Sequence, residues 1–338
     1  MTTIYDIAKL ANVSPMTVSR VINNNGRVSD KTRAKVKKIM KELHYVPNSM
    51  ARSLVLQQSH IITLLITDIA NPFYTTVARG AEDAANRNGY KLMFGNTDES
   101  LFKEQEYVDT FLSMRVDGVL FAPVGDDSKP HLERLQQNNM PLVLIDREVP
   151  GITADAVIGD SKDGARKLVE LLIQQGHTRI ALVNGSSHVS TARERLNGYM
   201  EALKLNDLPV DPSYVTEWKY NQTGGDREVI RGWMEREDRP TAIFAANNIL
   251  ALETLKLLRS MDIRVPDDIS LVSFDDFGQA DEVSPFLTVA SQPAYQFGVL
   301  GMQMLIERIQ NNEQPARKLV LPCSIINRTS NMPPSHLR

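Results

Sequence analysis

Apolar residues near the start of the chain recur with a helical period. Ile4, Ile7, Ala8 and Ala11 follow the i, i+3, i+4, i+7 spacing that turns one helix face inward. Thr3 and Asp6 have the spacing of a capping box ahead of it. The pattern breaks at ANVSP. There Ser14 suits an N-cap and Pro15 the first helical position, where a missing N–H costs nothing. A second helix follows, with Val18, Val21 and Ile22 inward and Met16, Thr17, Ser19, Arg20 and Asn23 outward. A third, capped by Ser29 after GRVSD, packs Val36, Ile39, Met40 and Leu43 on the other two. Its outer side carries Lys31, Arg33, Lys35, Lys37, Lys38 and Lys41. Two short helices joined by a tight turn are a helix-turn-helix, whose second helix is the one shaped to enter a major groove.

The pattern then changes twice. In YVPNSMARSLVLQQS, Pro47 ends the preceding helix, and Asn48 can cap a new one from about Ser49 to Val55. So short a helix is not stable alone in water and should order on binding. From Ile61 the chain alternates strand-like and helix-like segments. IITLLIT reads as a buried strand, Pro72 to Arg87 as a helix, and YKLMFGN, VDGVLFAP and PLVLID as further strands. The rhythm resumes after Gly164 with a helix to Gln175, the strand RIALVNG, a helix through Arg195 to Leu205, then TAIFAAN and ISLVSFDD. Regular β–α alternation implies parallel sheets covered by helices, and two such series imply two lobes. No short-period repeat interrupts them.

Composition narrows the function. The 338 residues are 42% hydrophobic and 23% charged, which suits two or three domains with real cores. The longest apolar runs, such as Ile61 to Ile66, fall far short of the roughly 20 residues a membrane helix needs. The N-terminus lacks a basic-then-apolar signal pattern, and the single Cys323 excludes an internal disulfide framework. A soluble cytoplasmic protein is expected. Residues 1–58 hold ten Lys/Arg and three Asp/Glu, a balance of +7; the remainder holds 28 basic and 38 acidic residues, a balance of −10. A basic head on an acidic body fits a polyanion partner, or a merely solvated helical face. The helix-turn-helix favours the polyanion. No G-x-G-x-x-G follows a strand, and neither a Walker pattern nor a G-x-S-x-G elbow is present. The six His, at 44, 60, 131, 177, 188 and 336, show no pair at metal-ligand spacing. Neither an enzyme nor a cofactor is expected. The body by itself would suit a transport receptor, a reading that the head excludes for the full chain.

TIYDIAKLANVSPMTVSRVIN and VSDKTRAKVKKIMKELHYVPNSMARSL resemble the lactose-repressor (LacI/GalR) family of bacterial transcription regulators. The match runs through the head without a gap and then over nearly the whole chain. The resemblance implies an all-α helix-turn-helix headpiece (1–46), a hinge and linker (47–59), an effector-binding and dimerisation core (60–330) and a tail (331–338). The core would be α/β and periplasmic-binding-protein-like, with two Rossmann-like lobes: an N-lobe of about 60–159 and 293–321, and a C-lobe of about 160–289 and 324–330. The chain would cross between them near Gly159–Asp160, Ala290–Gln292 and Pro322–Ser324.

The resemblance also assigns residues. Pro15, Met16 and Arg20 would face base edges, while Thr17, Ser19 and Asn23 would hold phosphates or neighbouring bases. Thr3, Tyr5, Ser14 and Arg27 complete the head's DNA-binding set. Arg20 is the best base reader, because a guanidinium can bond guanine O6 and N7 together. Pro15 and Met16 lack strong donors, so readout there should be apolar. In the hinge, Asn48, Ala51, Arg52 and Leu54 would contact DNA, Leu54 as a wedge between central base pairs and Arg52 at phosphate. Phe73, Tyr74, Asp146, Arg147, Arg195, Tyr220, Asn248 and Asp275 match effector-contacting positions. Carboxylates, an amide, a forked Arg and aromatic faces suit a polyol, although Asp146 and Arg147 could simply pair with each other.

The implied protein is a homodimeric repressor on a pseudo-palindromic operator, switched by a sugar-like small molecule, with induction the favoured sign. Its tail has no leucine heptads, so a dimer rather than a tetramer is expected. The alternative is a carbon-catabolite regulator that takes a phosphorylated carrier protein as co-effector. Gln303 stands where such relatives are expected to carry an arginine, which weakens that docking surface, while Arg308 keeps it in view.

Overall fold

The computed structural model describes residues 2–45, 58–218, 225–278, 285–311 and 314–334. The hinge residues Asn48, Ala51, Arg52 and Leu54, and Tyr220, lie outside the described residues. The chain divides into two units, Met1–Ser59 and His60–Arg338.

The first unit holds α1 (Ile4–Ala11), α2 (Pro15–Ile22) and α3 (Asp30–Glu42). Each begins at a side-chain cap. Thr3 and Asp6 form a reciprocal capping box, the Ser14 hydroxyl accepts from the Thr17 amide, and Ser29 accepts from Thr32. Asn12 ends α1 in the left-handed conformation (φ 53°), which an asparagine tolerates. Ile7, Ala8, Ala11, Val18, Val21 and Val36 form the small buried core, with Ile4, Ile22, Ile39, Met40 and Leu43 packed around it.

The second unit contains two six-stranded sheets. The N-lobe begins with β1 (Ile61–Ile66), α4 (Pro72–Arg87), β2 (Lys91–Asn96), α5 (Leu101–Met114), β3 (Gly118–Phe121), α6 (Lys129–Gln137), β4 (Leu142–Ile145) and β5 (Asp155–Gly159). The C-lobe follows with α7 (Ser161–Gln174), β6 (Ile180–Asn184), α8 (Ser190–Leu205), β7 (Val215–Glu217), α9 (Gly225–Glu235), β8 (Ala242–Ala245), α10 (Asn248–Ser260), β9 (Ser270–Phe274) and β10 (Thr288–Ser291). The chain returns to the N-lobe for α11 (Ala294–Gln310) and β11 (Lys318–Leu321), then crosses back for β12 (Ser324–Ile326). The strand orders are β11-β5-β4-β3-β1-β2 and β12-β10-β9-β8-β6-β7, so the lobes share one plan.

Helices cover both faces of each sheet, which is why the central strands β3, β4, β6, β8 and β9 are buried at every residue and read as continuous apolar runs. All pairings are parallel except β12 on β10. β11 runs parallel to β5 and ends at the cleft between the lobes, so a strand entering the C-lobe from there must run against its neighbours. Helices α4 and α11 touch at glycines. A Cβ on Gly80 would sit 2.1 Å from the Tyr295 carbonyl oxygen, and one on Gly298 would sit 1.9 Å from that of Val77. Among the described residues no helix is long and apolar enough to cross a membrane.

Candidate functional site

The head's outer surface is built by α1 and α2. Met16 is 63% exposed and Tyr5 70%, although both are large and apolar. Met16 is therefore no core contact. Arg20 is exposed beside them, and a Cβ on Gly26 (φ +77°) would come within 3.3 Å of its Cδ. Thr3 and Ser14 serve as helix caps, Ser14 and Thr17 share a hydroxyl hydrogen bond of 2.9 Å, and the Asn23 amide donates to the Ser19 hydroxyl at 3.3 Å. Pro15 opens α2 half-buried, and Arg27 is exposed. What this surface leaves outward is Tyr5 on the first helix of a helix-turn-helix, Met16 and Arg20 on the second, and Arg27 after it.

The second site is the cavity of about 340 Å³ between the lobes of the core. Residues just past the carboxyl ends of β4, β6, β7, β8 and β9 line it, the place where open α/β sheets bind ligands. β4 and β9 hold the same place in their sheets, and each ends in an aspartate, Asp146 (φ 65°) and Asp275 (φ 63°). Their amides donate to matching carbonyls, Asp146 to Val157 at 3.0 Å and Asp275 to Ala290 at 2.9 Å. The left-handed backbone, rare outside glycine, turns each strand end toward the cavity.

The N-lobe wall is tightly bonded. Tyr74 donates its hydroxyl to Asp146 Oδ2 at 2.8 Å, and burial pushes its phenol well above the ordinary range. Arg147 forks onto Glu99, Nη1 to Oε2 at 2.9 Å and Nη2 to Oε1 at 2.7 Å. Its Nη1 also donates to the carbonyls of Pro123 at 3.2 Å and Val124 at 2.9 Å. Asp146 lies farther off, 3.7 Å from Arg147 Nε, so the arginine's principal partner is Glu99. Phe73 packs edge-on against Tyr74 and Phe297.

The C-lobe wall is looser. Arg195 lies over the Phe274 ring, 3.8 Å from its centroid, and donates Nη1 to the Ala246 carbonyl at 2.6 Å. Its Nη2 reaches Asp275 Oδ2 only at 3.5 Å, and its buried Nε has no hydrogen-bond partner among the described residues. Asp275 also accepts from Gln292 Nε2 at 2.8 Å. Burial pushes the Asp275 carboxyl up to about 6, against the opposing pull of Arg195 and Gln292.

Contacts between the lobes hold them together around the cavity, among them a hydrogen bond from the Glu148 amide to the Ser190 hydroxyl at 2.9 Å. Asn248 donates Nδ2 to Asn71 Oδ1 across the cleft at 3.0 Å and to the Asp276 carbonyl at 3.2 Å. Arg193 forks onto Asp126 at 2.7 and 3.1 Å, and the Asp126 amide donates to the His188 carbonyl at 2.9 Å.

Of the cleft residues expected from sequence, Phe73, Tyr74, Asp146, Arg147, Arg195 and Asp275 line one cavity. Asn248 does not. It is fully buried, and its neighbour Asn247 lines the cavity while also capping α10 through Leu250. The sequence reading missed Glu99, Asn71 and Trp218, which all line it. Trp218 had a signal, as an aromatic at the end of a short strand, two residues before Tyr220. Glu99 had none.

The family model described as "Bacterial regulatory proteins, lacI family" matches residues 3–48, and the one described as "Periplasmic binding protein-like domain" matches 169–331. The chain is 34% identical to the HTH-type transcriptional regulator DegA of Bacillus subtilis over 334 residues, covering 98% of each. It is 35% identical to the ribose operon repressor of the same organism over 328 residues, covering 97% of this chain and 98% of that one. The solved lac repressor dimer bound to operator and the anti-inducer ONPF is similar at 29% identity and a TM-score of 0.81, with 98% of this chain and 99% of that one covered.

Proposed function

The chain belongs to the LacI family of bacterial regulatory proteins, and from that premise we propose that it is a homodimeric DNA-binding repressor switched by a small molecule held between its core lobes. The head would place α2 in the major groove, with Arg20 reading a guanine edge and Met16 giving apolar contact. Phosphates would be held by Thr17, Ser19, Asn23 and the basic residues around them. Hinge residues Asn48, Ala51, Arg52 and Leu54 would complete the contact in the minor groove.

The observation that carries the switch is the pair of buried aspartates at equivalent strand ends, facing one cavity that contacts from both lobes close. Carboxylates accept from hydroxyl groups, and Arg195 lines the same cavity. Phe73, Tyr74 and Trp218 offer apolar faces to the C–H side of a sugar ring. Similarity to a ribose operon repressor and to a lac repressor bound to operator and anti-inducer supports the same reading. A ligand that favours one arrangement of the lobes changes operator affinity, and operator then changes ligand affinity by the same factor. Induction is the sign we favour. The cleft is read as a binding site, not a catalytic one.

The carrier-protein alternative cannot draw on Arg308. That residue is buried, with Nη2 bonded to Asp155 Oδ1 at 2.8 Å and to the Pro315 carbonyl and Nη1 to the Gln314 carbonyl, so it is not offered to a phosphate outside.

The test is thermal unfolding of the purified protein against sugars, sugar phosphates, sugar acids and nucleobases, followed by operator binding with each hit. A cleft ligand raises stability by about 2.7 kcal/mol at a hundredfold excess over Kd. The expected result is a hit that also shifts operator affinity. A hit with no effect on DNA would leave a binding protein without a switch. No shift from any compound would return weight to the carrier-protein reading.

A further inference from the structure

We propose that Glu99 makes the cleft selective against anions, so that its ligand is an uncharged polyhydroxylated molecule and not a sugar phosphate or a sugar acid. The proposal rests on the reading of the cleft as the effector site.

A phosphate or carboxylate is held in a cavity by a guanidinium or ammonium that still has an N–H edge to offer. The cleft holds two guanidiniums. Arg147 gives both terminal nitrogens to Glu99, and two backbone carbonyls take further donations from Nη1. Its buried Nε lies 3.7 Å from Asp146 and, like that of Arg195, has no hydrogen-bond partner among the described residues. A two-point carboxylate partner is what an anionic ligand would otherwise be, so Glu99 fills the anion's place. Arg195 donates Nη1 to the Ala246 carbonyl, and Asp275 stands beside its other terminal nitrogen.

The charge balance points the same way. Among the described residues, four carboxylates line the cavity (Glu99, Asp127, Asp146, Asp275) against two arginines, a formal balance of −2. A phosphate monoester brings a further charge of about −2 near neutral pH. It would meet Asp146 and Asp275 at close range, and among the described residues both lining arginines already face a carboxylate. A neutral hydroxyl donates to either carboxylate, so it suits what the cleft leaves open.

Glu99 is held for this task. It follows β2 in a loop where Asp98 (φ 49°) and Glu99 (φ 55°) are both left-handed, and its amide donates to the Thr67 carbonyl at 3.1 Å. Two successive residues in that region carry backbone strain that the surrounding contacts must hold. The result is a side chain delivered to Arg147 from 48 residues away in sequence.

The full-length protein would be titrated with matched pairs, ribose with ribose 5-phosphate and galactose with galacturonate, and with inorganic phosphate. Tryptophan fluorescence is the readout, because Trp218 lines the cleft. In the wild type, each anion should bind at least about tenfold more weakly than its neutral parent. Glu99→Gln frees the Arg147 fork and should strengthen binding of each anion relative to its neutral parent by at least about tenfold. Glu99→Ser repeats the test should the amide variant not fold. An anionic member that binds wild type more tightly than its parent overturns the proposal and leaves the effector site standing. If nothing binds wild type, the effector reading fails; saturable phosphate binding by the Glu99 variants then still upholds the selectivity role, and its absence overturns it.

Discussion

The two walls of the cleft start from one plan and finish differently. β4 and β9 occupy equivalent places, and each ends in a left-handed aspartate with an arginine nearby. In the N-lobe, Arg147 is forked onto Glu99 at 2.7 and 2.9 Å and bonded to two carbonyls. In the C-lobe, Arg195 meets Asp275 at 3.5 Å and leaves Nε unbonded among the described residues. Both arginines leave a buried Nε without a partner among the described residues, so the walls differ in their terminal nitrogens, which are fully engaged in the N-lobe and more loosely held in the C-lobe. A group already satisfied by the chain contributes to stability, and a group left partly unsatisfied is available to a ligand. Damage to the N-lobe wall should therefore appear in folding, and damage to the C-lobe wall in binding.

The largest effect should come from Arg147→Met. It strands Glu99, which is mostly buried, without its cation, and breaking such a pair from one side costs about 3–5 kcal/mol. Urea unfolding should show the midpoint fall with an unchanged slope. A loss below about 1 kcal/mol would put this wall on the footing of an exposed ion pair and erase the contrast.

Next in size is Asp275→Asn, where the effect moves from folding to binding. The hydrogen bond from Gln292 can persist, but ligand hydroxyls lose a charged acceptor, about 2 kcal/mol or some thirtyfold in affinity. Stability near pH 8 should hold or rise, because burial disfavours the ionised carboxyl there. Calorimetric titration beside thermal unfolding separates the two. A variant that binds normally would place the ligand against the N-lobe wall instead.

The pH dependence sharpens the same point with a smaller effect. Burial holds Asp275 at about 6 in the fold against an ordinary 3.8, so the folded chain takes up the proton first as pH falls. Its contribution to stability is complete below about pH 4 and is lost as pH rises through about 6. Ligand hydroxyls need the ionised form, so binding runs the other way. Affinity should be level above about pH 6 and fall by up to tenfold per unit below it. In Asp275→Asn the profile between pH 5 and 7 should be flat. A wild-type profile that is also flat would mean that the ligand does not use this carboxylate.

The head and the cleft differ in how much of them the sequence displays. The head is legible because its signals are local. Thr3 with Asp6, Ser14 with Thr17 and Ser29 with Thr32 each act across three residues, and the apolar period then names the core. Strands β4 and β9 are legible too, as apolar runs that stop at an aspartate. What those aspartates and their arginines do is not, because their partners come from far along the chain. Glu99 reaches Arg147 across 48 residues, and Asn248 turns to Asn71 across 177. No periodicity encodes such a meeting. Trp218 sits next to recognisable positions, but β7 spans only three residues, too few to show which of its neighbours faces inward.

Asn248 gives the smallest and most discriminating test. Its amide joins Asn71 of one lobe to the Asp276 carbonyl of the other, and it is fully buried without touching the cavity. Asn248→Ala removes the bond to Asn71, which exists only while the lobes are together and is worth about 1 kcal/mol net, and also the bond to the Asp276 carbonyl within the C-lobe. The second loss should appear as a small fall in stability, the first in binding. A ligand that requires the closed arrangement must then supply that missing free energy, which weakens its binding about fivefold without altering any group it contacts. Such a loss should be the same for every ligand of the cleft, whereas Asp275→Asn should discriminate among ligands by how many hydroxyls reach the carboxylate. Unchanged affinity in Asn248→Ala would mean that closure owes nothing to this bond, and the contrast between the walls would then reside wholly in the side chains that line the cavity.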